Sequence, residues 1–363
     1  MRGTPGMSRT LAGALLVLCG PSVFAAGIDV SACTTLKDPA VRLACYDRAA
    51  GVVNEQGSAL HPPSEHPPAT SEPIRAPRAA PALPPVGEAS RGTPTAAARF
   101  DLLWELDPAH QQGTFGIRAH RPTYLMPFKY TTDPNERPFQ GAGDASGDER
   151  GLDRIEAKFQ LSFKSKLAQN LFDDTTDLWF GYTQTSNWQM YNHRESSPFR
   201  NTDYSAELMM VHRPGWEALG VRTRFVNLGF EHQSNGRGEP LSRSWNRIYL
   251  QAAFQHEDFV LLLKPWYRVH ESARHDDNPD INDRVGRGEV QALYFRNDHH
   301  FSLTIRDSFK RPHRGSLRGE WAFPLVNRLR GYVQIFSGYG ESLIDYDVRQ
   351  HAIGVGVMLG EGM

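Results

Sequence analysis

The sequence predicts an all-β fold: a membrane-spanning antiparallel β-barrel of about twelve strands, preceded by a small cysteine-containing segment and a proline-rich linker. Three observations support this prediction. The N-terminus has the form of an export signal. The later part of the chain consists of short segments in which apolar and polar residues alternate. The mean hydropathy is low, at -0.50, despite the many predicted strands.

The export signal is predicted over residues 1–25. Arg2 and Arg9 precede the apolar run Leu11–Gly20, and the small-residue cleavage site follows at Val23–Ala25. This run is too short for a membrane-spanning helix, which needs about 20 residues. No other segment of the chain comes close to that length, so a protein that crosses a membrane must here do so with strands.

Residues 26–53 form a small segment with two cysteines, Cys33 and Cys45. Two cysteines in an exported chain usually form a disulfide, although two unpaired thiols are the alternative. Cys19 lies inside the signal and raises the alternative of a lipoprotein, but Leu18 before it is too bulky for that cleavage site.

Residues 54–96 are predicted to be a disordered linker. They are rich in Pro, Ala, Ser and Glu and contain the pairs Pro62-Pro63, Pro67-Pro68 and Pro84-Pro85. Such a composition cannot bury enough apolar surface to fold. The barrel is therefore expected to occupy residues 97–363.

Alternation with a period of two identifies the strands of the barrel. In residues 158–164 the apolar Phe159, Leu161 and Phe163 are interleaved with polar residues, and residues 353–359 alternate in the same way. The apolar face of such a strand points to lipid in a barrel but to a core in a soluble sandwich. Alternation alone cannot separate the two folds.

Aromatic residues near the predicted strand ends favour the barrel, because aromatic belts mark both membrane interfaces. These residues are Trp179-Phe180, Trp266-Tyr267, Tyr332 and Tyr339. Strands of about 10 residues plus turns give about twelve strands, with ten or fourteen as alternatives. The formal net charge of -1 argues against a nucleic-acid-binding protein.

One predicted strand carries two reactive side chains on its apolar face. Val226, Leu228 and Phe230 share one face, and the alternation places His232 and Ser234 on the same face. Two groups capable of acyl-transfer chemistry therefore lie at the end of an apolar stripe.

The next strand supplies a partner for the histidine. Asn246, Ile248 and Leu250 form its apolar face. If the hairpin folds about Glu239, Asn246 lies directly opposite His232, at a distance that their side chains can bridge.

These three polar residues could form a catalytic triad. A serine hydroxyl needs a base to remove its proton, and the imidazole needs a partner on its other nitrogen that fixes the tautomer. Ser234, His232 and Asn246 fit those roles, and a neutral asparagine costs less than a carboxylate on a surface facing hydrocarbon. The alternative is that they are interfacial polar residues without a catalytic role.

The segments Phe230–Arg237 and Ser242–Arg247 closely resemble the signature of the outer membrane phospholipase A family. Similar stretches follow the family's order over much of the barrel: Tyr182–Gln184, Glu195–Arg200, Lys264–Tyr267, Asp276–Asp280 and Ser337–Tyr346.

The resemblance implies a twelve-stranded barrel in the bacterial outer membrane that hydrolyses the sn-1 and sn-2 acyl esters of phospholipids and lysophospholipids, a phospholipase A1 and A2. It assigns catalysis to Ser234, His232 and Asn246. It also implies an enzyme that is active as a homodimer and monomeric at rest. Gln184 corresponds to a residue of the family's dimer interface, with a pore-lining glutamine as the alternative.

The resemblance further implies calcium at the active site. Its ligands would be the carbonyl of Arg237, the hydroxyl of Ser242 and Ser196 of the partner subunit. Glu239 stands where the family often has aspartate. Glu239 and Asp277 are expected to assist calcium through water or an auxiliary site.

Two other functions remain open at the level of sequence: a non-catalytic barrel, such as a porin, and a soluble secreted esterase on a β-sandwich. The complete set of Ser, His and Asn argues against the first. Heat-modifiable gel migration and dependence on detergent would distinguish the second.

Overall fold

The computed structural model describes residues 33, 38, 41–43, 45, 95–138, 151–272, 276–326 and 329–360. The chain divides into two units, residues 1–83 and 84–363. In the first unit Cys33 and Cys45 form a disulfide, with their Cα atoms 5.6 Å apart, which confirms the predicted pairing. The predicted signal peptide and all but the last two residues of the predicted linker lie outside the described residues.

The second unit contains two α-helices, three 3₁₀ helices and fourteen strands among its described residues. The helices are α1 Ala96–Trp104 and α2 Ile281–Arg284, with 3₁₀ turns at Pro108–His110, His193–Glu195 and Leu343–Asp345. The strands are β1 Ile117–Ala119, β2 Thr123–Thr131, β3 Ile155–Ala168, β4 Thr176–Trp188, β5 Phe199–His212, β6 Glu217–Ala218, β7 Val221–Ser234, β8 Ser244–His256, β9 Phe259–Arg268, β10 Gly288–Arg296, β11 His299–Asp307, β12 Gly315–Val326, β13 Leu329–Gly338 and β14 Gln350–Gly360.

The sheet closes on itself. Each strand pairs antiparallel with its neighbours, β14 pairs with β2, and β3 pairs with both β2 and β4. The short β1 and β6 only extend the edges of β3 and β7, so twelve strands form a closed antiparallel barrel. The predicted fold class and strand number are confirmed.

The barrel is apolar outside and polar inside. Leu161 is 49% exposed, whereas Lys158 and Lys164 on the same strand are 1% and 0% exposed. Along β14, Ile353 and Val355 likewise point outward. Ammonium groups enclosed by the sheet and aliphatic side chains on its outer surface are the reverse of a soluble sandwich and typical of a membrane barrel.

The lumen is filled by ion pairs and not by an apolar core. Glu341, which enters from the loop after β13, accepts hydrogen bonds from Lys129 Nζ at 2.9 Å and Lys158 Nζ at 2.5 Å. Burial by itself would raise the pKa of the Glu341 carboxyl, but the two ammonium groups hold it well below its usual range. In the same layer of the lumen, Arg200 forms ion pairs with Glu156 at 3.0 Å and with Asp345 at 2.8 Å. These pairs tie the inner ends of the loops to the barrel wall.

The first described element of the second unit is the helix α1, whereas strands were expected from residue 97 onward. Thr95 accepts a hydrogen bond from the Ala98 amide as the N-cap of α1. Phe100 and Trp104, four residues apart, are both buried and contact the lumen-facing ring of Phe225. Spacing of four places apolar residues on one helical face, and burial of that face against the barrel overrides the linker-like composition before it.

At the end of the barrel that α1 contacts, the connections between strands are short, as in Glu257-Asp258 and Asn297-Asp298. The opposite end of the barrel carries the long loops. Helix α1 therefore packs at the short-turn end. None of the helices in the described part of the chain is long and apolar enough to cross a membrane.

The expected aromatic belt is partly wrong. Trp179, Trp266 and Tyr332 are 0%, 8% and 1% exposed and face the lumen, whereas Tyr267 is 67% exposed and faces outward. Successive residues of a strand point to opposite faces, so each adjacent aromatic pair places only one ring on the lipid side.

Candidate active site

The hairpin of β7 and β8 has the predicted register. His232 is the Cα partner of Asn246, and Ser234 is the partner of Ser244. On β7, Leu228 and Phe230 are exposed on the outer wall, and His232 follows them on that face. The prediction that the hairpin folds about Glu239 is confirmed.

A hydrogen bond joins the two facing polar side chains. His232 Nδ1 lies 2.9 Å from Asn246 Oδ1. An amide oxygen only accepts, so Nδ1 carries the proton in this contact, and Nε2 is then left able to take a proton from another group. This is the arrangement that a general base requires.

Ser234 is the last residue of β7 and is half-buried. Residues two apart on one strand have Cα atoms about 7 Å apart, within reach of an imidazole and a hydroxyl. No hydrogen bond joins Ser234 to His232 among the described residues. The structure thus brings the three predicted residues to one outer edge and joins two of them directly.

A fourth side chain, which the sequence analysis did not predict, contacts Asn246. Asn246 Nδ2 donates to Glu271 Oε1 at 2.9 Å. The Val269 amide donates to the Asn246 carbonyl at 2.8 Å, which holds the start of the next loop beside β8. Glu271 follows β9 by three residues, and no sequence pattern connects it to the hairpin.

The loop between β7 and β8 is organised by Asn235, which is 4% exposed. Its Oδ1 accepts from the amides of Arg237 at 3.2 Å and Arg243 at 3.0 Å, and its Nδ2 donates to the Leu241 carbonyl at 3.0 Å. No role was predicted for Asn235, which lies within the family-like segment Phe230–Arg237. Its side chain in fact crosslinks both ends of this loop.

Gly236, directly after Asn235, has a backbone that other residues rarely adopt. Its φ is +67°, and a Cβ there would lie 2.8 Å from the Tyr204 ring. Glycine is therefore required both by conformation and by the close approach of Tyr204.

Two of the predicted calcium residues lie together. Ser242 Oγ donates to Asp277 Oδ2 at 2.5 Å, and Ser244 Oγ reaches the same oxygen at 3.4 Å. Arg237 is half-buried in the same loop as Ser242. Hydroxyl, carboxylate and carbonyl oxygens are the donors that calcium prefers, so the residues present fit this ion.

The other predicted calcium residues are more distant or exposed. Glu239 is exposed in the β7–β8 loop, and Ser196 is exposed after the 3₁₀ turn His193–Glu195. Within the described part of the chain, no hydrogen bond connects Ser196 to Ser242 or Asp277. The described residues contain no group of three or more His, Cys, Asp and Glu side chains placed to hold a metal ion.

Gln184 faces outward on the wall that carries the site. It shares the outer face of β4 with Tyr182, which rules out the pore-lining alternative. Gln184 pairs with Tyr204, and Tyr204 pairs with Ser234. Two strand spacings place Gln184 about 10 Å from Ser234 along the wall.

A closed antiparallel barrel with a charged lumen, an apolar outer wall and long loops at one end defines an outer-membrane protein, and the bacterial outer membrane is the location of this chain. The family model for phospholipase A1 matches residues 100–359, and the chain belongs to that family.

Proteins similar to this chain include relatives over most of its length. A protein of Neisseria meningitidis serogroup B with the provisional name phospholipase A1 is 36% identical over 358 residues, which cover 94% of this chain and 93% of that protein. A phospholipase A1 of Klebsiella pneumoniae is 35% identical over 268 residues, which cover 73% of this chain and 89% of that protein.

Solved structures show the same fold. Outer membrane phospholipase A of Escherichia coli has 33% identity and a TM-score of 0.63, and covers 68% of this chain and 94% of its own. A Salmonella typhi outer membrane phospholipase, solved as a dimer with bound calcium, has 32% identity and a TM-score of 0.62, with 69% and 94% covered. A further E. coli structure is of an active-site mutant in which an asparagine is replaced by alanine.

Proposed function

We propose that this phospholipase hydrolyses the sn-1 and sn-2 acyl esters of phospholipids and lysophospholipids with Ser234 as nucleophile, His232 as base and Asn246 as the orienting residue. The observation that carries the proposal is the 2.9 Å hydrogen bond between His232 Nδ1 and Asn246 Oδ1 on the outer wall. An active-site asparagine in the E. coli relative supports the same role for Asn246.

The chemistry follows from the tautomer that this contact selects. His232 Nε2 removes the proton from Ser234 Oγ as that oxygen attacks the ester carbonyl. The same imidazolium then gives the proton to the departing alcohol oxygen, which leaves an acyl group on Ser234. A water molecule, deprotonated by His232, attacks the acyl carbonyl, and His232 returns this proton to Ser234 Oγ as the bond to the acyl group breaks and the fatty acid is released. Asn246 keeps the ring in place through both steps.

The position of the site explains the choice of substrate class. In outer-membrane barrels the long loops face the exterior, so Ser234 and His232 lie where the barrel wall meets the outer interface. The apolar stripe of Leu228 and Phe230 directly below them contacts acyl chains, because it faces hydrocarbon. An ester bond of a membrane lipid lies at this depth.

Calcium would be held by the carbonyl of Arg237, the hydroxyl of Ser242 and Ser196 of the partner subunit, with Glu239 and Asp277 acting through water or an auxiliary site. When bound, the ion supplies positive charge that stabilises the developing oxyanion. The contact between Ser242 and Asp277 supports this location, since it gathers oxygen donors next to Ser234. The dimer with bound calcium of the Salmonella relative supports both the ion and the dimeric state.

The active state is proposed to be a homodimer and the resting state a monomer. A single barrel wall is convex, whereas acyl-chain binding needs a concave apolar surface, which two adjacent walls can form. Gln184, outward on the same wall, could hydrogen-bond across that interface. We also propose the division of the chain into a signal peptide (1–25), a small periplasmic segment (26–53), a linker and the barrel.

The deciding experiment measures phospholipid hydrolysis by the full-length protein in mixed micelles, with calcium and with a chelator. Wild type should be active with calcium only, and Ser234→Ala should lose at least about 1,000-fold of the activity while the folded barrel retains its heat-modifiable gel mobility. A sulfonyl fluoride should label Ser234. Labelling of another serine, or an active Ser234→Ala variant, would overturn the nucleophile assignment.

A further inference from the structure

We propose that Glu271 is a positioning residue of this active site: its carboxylate fixes the orientation of the Asn246 amide and, through it, the tautomer of His232. The proposal rests on the catalytic roles proposed above for His232 and Asn246. The geometry points to a chain of side chains in which Glu271 Oε1 accepts from Asn246 Nδ2 at 2.9 Å and Asn246 Oδ1 faces His232 Nδ1 at 2.9 Å.

An asparagine alone is an ambiguous partner for histidine. Its amide presents an acceptor on one side and donors on the other, and a half-turn about the terminal bond exchanges them. If Asn246 turned its nitrogen to His232, Nδ1 would become the acceptor and the proton would sit on Nε2. That tautomer cannot take a proton from Ser234.

Glu271 removes this ambiguity. An ionised carboxylate has acceptors only, so it favours the orientation in which Asn246 offers its nitrogen to Glu271 and its oxygen to His232. In the opposite orientation the Asn246 oxygen would face the Glu271 oxygens, which is repulsive. The carboxylate also polarises the amide, and this strengthens the bond to His232 when the imidazole is charged.

Local contacts hold Glu271 in this place. The Arg268 guanidinium lies 3.8 Å from Glu271 Oε2 and is itself fixed by the Asp276 carboxylate at 2.5 Å and the Pro279 carbonyl at 3.1 Å. The Glu271 side chain is 17% exposed. Because β9 ends at Arg268, the carboxylate lies in the loop beyond the strand.

The site needs an uncharged residue on the lipid-facing wall and a negative charge that orients the amide, and different residues meet these two requirements. A carboxylate on the outer face of β8 itself would meet hydrocarbon, where an ionised group costs several kcal/mol. Asn246 occupies that position without charge, and the negative charge stands one side chain further out, beside Arg268. The Glu271 carboxylate thus acts on the histidine indirectly, through the uncharged Asn246 amide.

The test is a double-mutant cycle on the full-length protein, in mixed micelles with saturating calcium. Glu271→Ala should lower kcat about 10-fold with little change in KM, and Glu271→Gln should lose less, because its amide oxygen still accepts from Asn246. In an Asn246→Ala background, Glu271→Ala should cause no further loss. The control His270→Gln changes the exposed neighbour and should leave kcat as in wild type.

A charge exchange adds a readout that a purely structural role would not change. Asn246→Asp alone sets two carboxylates within hydrogen-bonding distance and should be severely impaired. Combining it with Glu271→Gln should raise kcat above that of the single variant.

Two outcomes would overturn the proposal: full kcat in Glu271→Ala, or losses that multiply in the cycle although all variants show a folded gel band. Ser234→Ala is assayed alongside. If Ser234→Ala is inactive and Glu271→Ala is fully active, only the role of Glu271 fails. If Ser234→Ala retains activity, the proposed function itself fails.

Discussion

Replacing Asn235 by alanine should weaken calcium activation without abolishing catalysis. The Asn235 side chain makes three hydrogen bonds, to the amides of Arg237 and Arg243 and to the carbonyl of Leu241. These bonds shape the loop that carries two of the proposed ligands, the Arg237 carbonyl and Ser242. In the variant, calcium binding itself would have to order that loop.

The size of the effect follows from those contacts. A buried hydrogen bond contributes about 1 kcal/mol, so three contribute about 3 kcal/mol to loop order. At about 1.4 kcal/mol for each factor of ten, the calcium concentration for half-maximal activity should rise by about 100-fold. Activity at saturating calcium should stay within a few-fold of wild type, because His232 and Asn246 lie on the strands.

The assay is a calcium titration of phospholipid hydrolysis in mixed micelles. Gly238→Ala is the matched control, since an added Cβ at Gly238 meets no atom within 4 Å and φ there is not positive. An Asn235→Ala protein that folds and shows an unchanged calcium midpoint would refute the link between this loop and the ion. A uniform loss of activity at every calcium concentration would refute it as well.

Three further predictions concern the lumen, the outer wall and the association of two chains. Among the described residues, Glu341→Ala leaves Lys158 Nζ with the Gln334 amide oxygen as its hydrogen-bond partner, at 3.1 Å, so the free energy of unfolding should fall by about 3 to 5 kcal/mol. An unchanged denaturation midpoint of the folded gel band would contradict this. A bulky adduct on a cysteine introduced at Gln184 should yield a folded but inactive monomer, and full activity from a verified monomer would argue against the dimeric site. Calcium should also increase chemical crosslinking of wild type, because ligands from two chains link metal binding to association.

Sequence alone determined the strands and the hairpin that carries the site. In an antiparallel hairpin the numbers of paired residues have a constant sum, so one turn centre at Glu239 was enough to place Asn246 opposite His232. The period of two then placed Ser234 on the same outer face. These are local consequences of backbone geometry, and they hold without knowledge of any other strand.

Sequence misjudged features whose environment is set by distant residues. Helix α1 follows a linker-like segment, and its apolar face is explained only by burial against the ring of Phe225. Trp179 and Trp266 point inward because they occupy the alternating strand positions whose side chains face the lumen. The sequence showed aromatic pairs near strand ends but not which residue of each pair would face the lumen.

Only the tertiary structure decided what lies on each side of the sheet and what surrounds the hairpin. Alternation fits a sandwich and a barrel equally, and closure of β14 onto β2 settles the matter by enclosing Lys158 and Lys164. The contact of Glu271 with Asn246 joins residues 25 apart along the chain, through a loop whose course no periodic pattern specifies. Backbone periodicity fixes neighbours within a hairpin, whereas partners from separate loops are fixed only when the whole sheet has closed.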